Sequence, residues 1–204
     1  MGADENPPDA IYIGEDPATA ARITAEAIVR ARPTGAKVAM IGGPPAAAGA
    51  TPRQAAFRAA AEKAGIEILG QADSLTLTLD DVQEKAACLL LRYPDANVLW
   101  SITAGAAGIT GRSLRASAMA VDTDVITIYI GATSDLAKQV EAGSLTIVVD
   151  NVVYEWGEEL VNLLNGGLSG KQISKPSDPL GITGKVYTKD DIAQWAYPED
   201  RCKE

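Results

Sequence analysis

Histidine is absent from the 204-residue sequence, and cysteine occurs only twice. Without histidine, neither a Ser-His-Asp triad nor a Cys-His pair can form, and no histidine can ligate a metal. Two cysteines are too few for a four-thiolate zinc site or for a disulfide framework. These absences argue against the common catalytic and metal-binding classes. We therefore expect no enzyme, no metal and no cofactor.

Basic residues are also scarce, since 18 Lys and Arg stand against 27 Asp and Glu, for a net charge of −9. A protein that binds the phosphate backbone needs a basic face, so we expect no nucleic-acid partner. The first eight residues are acidic and polar, so we do not expect them to form a signal peptide. No apolar run reaches the roughly 18 residues of a membrane-spanning helix. The chain is therefore expected not to be embedded in a membrane.

The residues that are present indicate an ordinary globular core, because 47% of them are hydrophobic. Short apolar runs alternate with helix-like segments along the chain. The runs are continuous rather than alternating, which is typical of strands buried on both faces. The predicted strands are Ile11–Ile13, Lys37–Ile41, Ile66–Leu69, Asn97–Ile102, Val125–Ile130, Thr146–Val149 and Lys185–Thr188.

Capping residues mark the predicted helices between these strands. They are Asp16 before Pro17, Thr51 before Pro52, Thr78, and Thr133 or Ser134. A glycine-diluted helix is expected over Ala104–Ala120 and a last one over Val153–Asn165. Strict alternation of strand and helix predicts a three-layer αβα fold with a mostly parallel sheet.

In an open parallel sheet, ligands bind beyond the carboxyl ends of the strands. The turn at Gly42–Gly49 has neither the Gly-Lys-Ser/Thr ending nor the G-x-G-x-x-G spacing of a phosphate loop, so we interpret it as a plain strand-to-helix turn. Arg53 follows this turn closely. It is either a solvated surface arginine or a planar clamp for hydroxyls or a carboxylate.

The order of several segments resembles the type I periplasmic binding proteins of the ribose-binding class, the substrate receptors of bacterial sugar ABC transporters. The similarity runs from Tyr12 to Val186, and each segment is weak alone but the order is specific. The segments are Tyr12–Asp16, Lys37–Gly43, Arg53–Phe57, Tyr93–Val98, Asp124–Leu145, Asn151–Gly157 and Val186–Ile192.

The resemblance implies the C-terminal lobe of such a receptor, which binds a sugar or a similar small polar molecule in an interlobe cleft without catalysis. An ABC transporter permease would be its partner and the periplasm its location. Residues 1–15 would form an N-terminal segment with a hinge strand, and residues 16–150 the α/β ligand-binding lobe. Residues 151–166 would form the hinge and a crossing helix, and residues 167–204 a tail with a returning strand.

The resemblance also implies the site residues. The binding arginine of the family is kept as Arg53, whereas a sugar-gripping Asn-Asp pair is matched by Thr103 and Ala104. A binding aspartate is matched by Gly131, and a stacking aromatic falls near Leu77. The implied ligand-binding set is Arg53, Thr103, Ala104, Gly131, Asn151 and Asp16, of which Asp16 is also the predicted helix cap. Since acceptors are depleted, we expect a smaller, less polar or anionic ligand held by Arg53.

The family has two lobes, so the resemblance implies a first lobe and a signal peptide before Tyr12. The helix Val153–Asn165 would pack on that lobe. Without it, Trp156, Leu160 and Leu163 would lack a partner and favour self-association. We therefore expect a truncated or mis-started chain, or a fragment that needs a complementary chain.

Three other interpretations remain open. The effector domain of a LacI-type regulator shares the fold but needs a DNA-binding segment, which is not seen here. A small enzyme on a flavodoxin-like sheet is compatible with the fold, although no acid-base pair supports it. The third is a stand-alone lobe that dimerises through its last helix.

Overall fold

The computed structural model describes residues 11–44, 50–76, 78–102, 114, 120, 123–171, 180–182 and 184–195. The strands are β1 Ile13–Glu15, β2 Lys37–Gly42, β3 Glu67–Asp73, β4 Val98–Ser101, β5 Ile126–Ile130, β6 Ile147–Asp150, β7 Leu180–Ile182 and β8 Lys185–Tyr187. The helices are α1 Pro17–Ala31, α2 Ala50–Lys63, α3 Leu79–Arg92, α4 Ser134–Glu141 and α5 Val153–Leu168, followed by a 3-10 turn at Ile192–Gln194.

Six strands form one mixed, mostly parallel sheet in the order β3-β2-β4-β5-β6-β8. The first five strands run parallel, and β8 pairs antiparallel with β6 at the edge. Strands β1 and β7 pair in parallel as a separate two-stranded sheet. Parallel strands of one sheet require crossover connections, and among the described elements α2, α3 and α4 provide them within the six-stranded sheet.

Successive side chains of each central strand point to opposite faces of the sheet, so they pack into two separate hydrophobic cores. On one face, α1 and α2 cover Val38, Met40 and Trp100, and the rings of Phe57 and Trp100 stack with centroids 4.6 Å apart. On the other face, α3, α4 and the 3-10 turn cover Leu99 and other strand residues. This arrangement confirms the predicted three layers.

Strand boundaries agree with the sequence prediction to within one residue for β2, β4, β5, β6 and β8. Strand β1 lies two residues later than predicted, because its partner β7 pairs with Ile13–Glu15. Strand β3 continues to Asp73 instead of ending at Leu69. Its apolar signal ends early, but the pairing with all six residues of β2 extends it.

The helices show two further differences. Helix α2 begins at Ala50, so Thr51 lies inside it rather than capping it. Helix α5 continues to Leu168, three residues beyond the predicted end. The predicted helix at Ala104–Ala120 lies outside the described residues apart from positions 114 and 120.

Helix α5 buries none of its residues fully. It packs against β1, and Trp156 and Leu163 are only partly buried. Four apolar side chains are at least half exposed: Leu160, Val161, Leu164 and Leu168. The apolar surface predicted for this helix is therefore present and includes Leu160 as predicted, whereas Trp156 and Leu163 lie partly covered.

Candidate functional site

The site edge is the line where parallel strands β2, β4, β5 and β6 end together. The residues beyond these ends are Gly43, Ile102, Gly131 and Asn151. Strand β1 ends at Glu15, from which the chain enters α1 through Asp16. The topology thus brings Arg53, Gly131 and Asn151 to the same side of the fold, as predicted for this sheet.

Arg53 lies in the first part of α2 and forms an ion pair with Glu15. The Nε–H group of Arg53 donates a hydrogen bond of 2.9 Å to Glu15 Oε1. Glu15 is only 4% exposed and the Arg53 side chain 22%. Glu15 Oε2 is buried and has no hydrogen-bond donor among the described residues. Arg53 is therefore not a free surface arginine, and Glu15 belongs to the candidate site.

Asp16 acts as the N-cap of α1. Its carboxylate accepts hydrogen bonds from the backbone N–H groups of Ala18 (3.2 Å) and Thr19 (3.0 Å), and also from the Thr19 hydroxyl. The hydroxyl bond is the main cause that lowers the pKa of Asp16, and the two backbone bonds add to it. The structure thus places Asp16 at the site edge with its oxygens already engaged in capping.

Gly131 and Asn151 follow adjacent strands. Gly131 has a φ of 101°, a backbone conformation that favours glycine. Its N–H donates a hydrogen bond of 2.8 Å to the carbonyl of Val149. Asn151 is partly exposed and precedes Val152, whose φ and ψ of 50° and 47° are left-handed. Both positions therefore lie on turns with uncommon backbone conformations.

The turn after β6 is held by a buried carboxylate. Asp150 Oδ1 accepts a hydrogen bond of 2.9 Å from the Val152 N–H, and Oδ2 accepts one of 2.9 Å from the Trp195 indole. A side chain at Gly184 would lie 2.5 Å from the carbonyl oxygen of Asp150. The C-terminal segment thus supports the turn that carries Asn151.

Three residues implied for the site lie outside the described residues. They are Thr103, Ala104 and the position expected for a stacking aromatic, Leu77. Their roles stay predictions.

A polar cleft of about 430 Å³ opens beside the ends of β2 and β3. The Gln71 amide donates to Asp73 and, over 2.6 Å, to Gln54, while Arg58 donates to Gln71 over 2.6 Å. An ideal Cβ at Gly42 would lie 2.1 Å from Asp73 Oδ1, so a larger residue there would displace the Asp73 carboxylate. This cleft adds polar groups to the edge of the site.

Sequence reasoning missed Glu15 and this polar cleft. Glu15 carried one signal, since it is a charged residue at the end of an apolar strand and next to a helix cap. The polar residues of β3 carried none, because their segment lacks an apolar pattern and its pairing with β2 is tertiary.

A larger groove of about 840 Å³ runs between α1 and α2. Half of its described lining residues are alanines, among them Ala25, Ala56 and Ala60, and it lies along the helix flanks rather than at the strand ends. In the described part of the chain, no cluster of side chains suits a metal ion. No described helix combines the length and hydrophobicity needed to cross a membrane.

Solved structures with the same fold include three sugar-related binding proteins. A periplasmic ribose ABC transporter protein from Conexibacter woesei superposes with a TM-score of 0.85 at 21% identity, over 100% of this chain and 68% of the other. An ABC transporter solute-binding protein from Actinobacillus succinogenes with bound D-allose superposes with a TM-score of 0.79 at 13% identity, over 91% of this chain and 63% of the other. A glucose-galactose binding protein from Geobacillus stearothermophilus superposes with a TM-score of 0.77 at 22% identity, over 92% of this chain and 66% of the other.

At these identities the structural likeness shows the fold. The chain spans about two thirds of the length of these relatives. No curated protein sequence matches it significantly. The sequence-family model for the periplasmic binding protein domain matches residues 2–172, which is most of the chain. The chain therefore belongs to the periplasmic binding protein domain family.

Proposed function

We propose that the chain is a solute-binding lobe of a bacterial ABC importer, which binds a sugar or a similar small polar molecule without catalysis. The observation that carries the proposal is the partly exposed Arg53 at the edge formed by the strand ends. An arginine has five N–H groups, and the Nε–H is the one that hydrogen-bonds to Glu15 in the described residues. The remaining donors suit the oxygens of a solute.

The similar structures support this choice of solute. Besides the D-allose complex, they include an arabinose-binding component from Shewanella bound to L-arabinofuranose and a solute-binding protein from Agrobacterium vitis bound to D-fucose. By analogy, Arg53, Gly131 and Asn151 would contact the solute, and the permease of an importer would receive it. The periplasm would be the location.

Ligand-dependent stabilisation tests this proposal. A solute that binds the folded chain raises the midpoint of thermal unfolding in a saturable way and is recovered unchanged. Arg53→Ala is expected to weaken binding about 10- to 100-fold, as loss of a charged hydrogen bond implies. Arg22→Ala is the matched control, because Arg22 is exposed and forms an ion pair with Glu26 on the surface of α1. Equal affinity of the wild type and Arg53→Ala would refute the assignment of Arg53.

The exposed apolar residues of α5 favour a second candidate, a lobe that associates with another copy of itself. Leu160 and Leu164 are 50% and 56% exposed, and exposed apolar patches of this kind favour association. Trp156 and Leu163 would lie at the margin of this contact. Sedimentation over a range of protein concentrations tests it, and a mass that stays monomeric throughout would contradict self-association.

A further inference from the structure

Glu15 compensates the charge of Arg53 from a buried position. Its carboxylate is 4% exposed, and its Oε1 lies 2.9 Å from Arg53 Nε. Because the two opposite charges lie this close together, their electric fields largely cancel at longer distances. The pair as a whole therefore presents the guanidinium hydrogen-bond donors to the site without a net charge.

Among the described residues, Arg53 is the only basic side chain that forms an ion pair with Glu15. The neighbouring Asp16 is a carboxylate, and the N-terminus of α1 that it caps offsets part of its charge. The chain as a whole carries a net charge of −9, which repels anions. A ligand that relied on its own negative charge would gain little here.

The pair nevertheless contains both kinds of hydrogen-bonding group. Arg53 has terminal N–H groups, and Glu15 Oε2 is a buried acceptor without a donor among the described residues. A buried acceptor left without a partner costs about 1–3 kcal/mol. A hydroxyl group can donate to one partner and accept from the other, whereas a carboxylate or sulfate can only accept.

We infer that Glu15 determines the charge class of the ligand: by neutralising Arg53 it makes the site selective for an uncharged, hydroxyl-bearing solute and excludes anions. This inference rests on the proposed function for the nature of the solute. The effect of Glu15 on anion binding can be tested without it. The anionic ligand considered from the sequence is thereby disfavoured.

Three forms of the chain test the inference: wild type, Glu15→Gln and Arg53→Gln. Glu15→Gln leaves the arginine charge uncompensated, and Arg53→Gln removes it. The probes are D-galactose, D-galacturonate and inorganic sulfate, titrated at constant ionic strength and followed by calorimetry and thermal unfolding. D-galactose and D-galacturonate differ in charge but share the ring hydroxyls at C1 to C4.

We expect the wild type to bind D-galactose more tightly than D-galacturonate, with no saturable binding of sulfate. In Glu15→Gln the affinity for D-galacturonate relative to D-galactose rises about tenfold, which corresponds to about 1.4 kcal/mol. Sulfate binding appears in the same variant, and Arg53→Gln shows neither gain.

Two results would overturn the inference. One is saturable sulfate binding by the wild type that disappears in Arg53→Gln, because the arginine charge would then be available. This comparison of wild type and Arg53→Gln tests the inference even if Glu15→Gln does not fold. The other is a folded Glu15→Gln with unchanged ligand preference, which would make the pair a purely structural link between β1 and α2.

The sugar titrations test the proposed solute class, and the sulfate titrations test the proposed role of Glu15. If neither sugar binds any form, the proposed solute class is contradicted. The gain or absence of sulfate binding in Glu15→Gln then still decides the role of Glu15.

Discussion

At the scale of single residues, Val152 combines a buried side chain with an unfavourable backbone. It is 2% exposed, and its φ of 50° is costly for a β-branched residue. Val152→Ala loses buried atoms and keeps the strain, whereas Val152→Gly loses slightly more atoms and relieves it. We expect Val152→Gly to be the more stable of the two by about 1 kcal/mol in urea unfolding.

Val149 provides the control for this comparison. It is equally buried, at 1% exposure, but lies in the regular strand β6. There glycine should be the less stable variant, by about 0.5–1 kcal/mol relative to alanine. If glycine is also the worse substitution at position 152, the left-handed turn carries no strain.

Asp81 at the start of α3 is expected to make the stability depend on acid. Its Oδ2 accepts hydrogen bonds from the Thr76 N–H (3.1 Å), the Ser74 hydroxyl (2.9 Å) and the Thr76 hydroxyl (3.0 Å). The Thr76 backbone bond is the first cause that lowers the pKa from 3.8 to about 2, followed by the Ser74 hydroxyl. As the pH falls, the Asp81 carboxylate is therefore protonated in the unfolded chain before it is protonated in the folded chain. The stabilisation is complete above about pH 4 and is lost as the pH falls towards 2.

The measurement is urea unfolding of the wild type and Asp81→Asn between these pH values. Their difference in unfolding free energy should be largest near neutral pH and should shrink as the pH falls from about 4 to about 2. Asp80→Asn is the control, because Asp80 is exposed and takes no part in this network. A difference that is constant with pH would show that the hydrogen bonds do not hold the carboxylate in its charged form.

At the scale of elements, α5 carries apolar residues that the lobe itself does not use. Leu160→Lys and Leu164→Lys should each change the unfolding free energy by no more than about 0.5 kcal/mol. Both should reduce association and the binding of apolar dyes, because they place a charge on the exposed apolar surface. Sedimentation and dye fluorescence provide the measurements.

Leu136→Ala on α4 is the contrasting variant. Leu136 is 3% exposed, so its truncation should cost about 2–5 kcal/mol. If Leu164→Lys were equally destabilising, the Leu164 side chain would have to be packed within the lobe, which would contradict its 56% exposure.

Element boundaries were predictable where the apolar run and the strand coincide. Strand β3 is the exception, since Gly70 and the polar residues after it resemble a loop in sequence. In the fold, an ideal Cβ at Gly70 would lie 2.4 Å from the Tyr93 hydroxyl oxygen, so the missing side chain makes room for Tyr93. That requirement comes from a distant segment and leaves no local periodic signal.

At the scale of the whole molecule, the two sheets should differ in local stability. Strands β4 and β5 are buried in the centre of a six-stranded sheet, whereas β1 and β7 form a two-stranded sheet of three residues each. Two-stranded sheets are marginal on their own. Hydrogen exchange should therefore open β1 and β7 at a lower free energy than β4 and β5. Equal protection would mean that all strands unfold as one unit.

By itself the sequence determined the alternation of strand and helix and the three layers, and it predicted the edge at which a ligand would bind. Apolar periodicity and capping residues are local, so a single pass along the chain reads them. The tertiary structure alone decided that Arg53 pairs with Glu15, 38 residues away, and that Trp195 holds Asp150, 45 residues away. Such pairs depend on how packed elements bring distant groups together, and no local pattern encodes that distance.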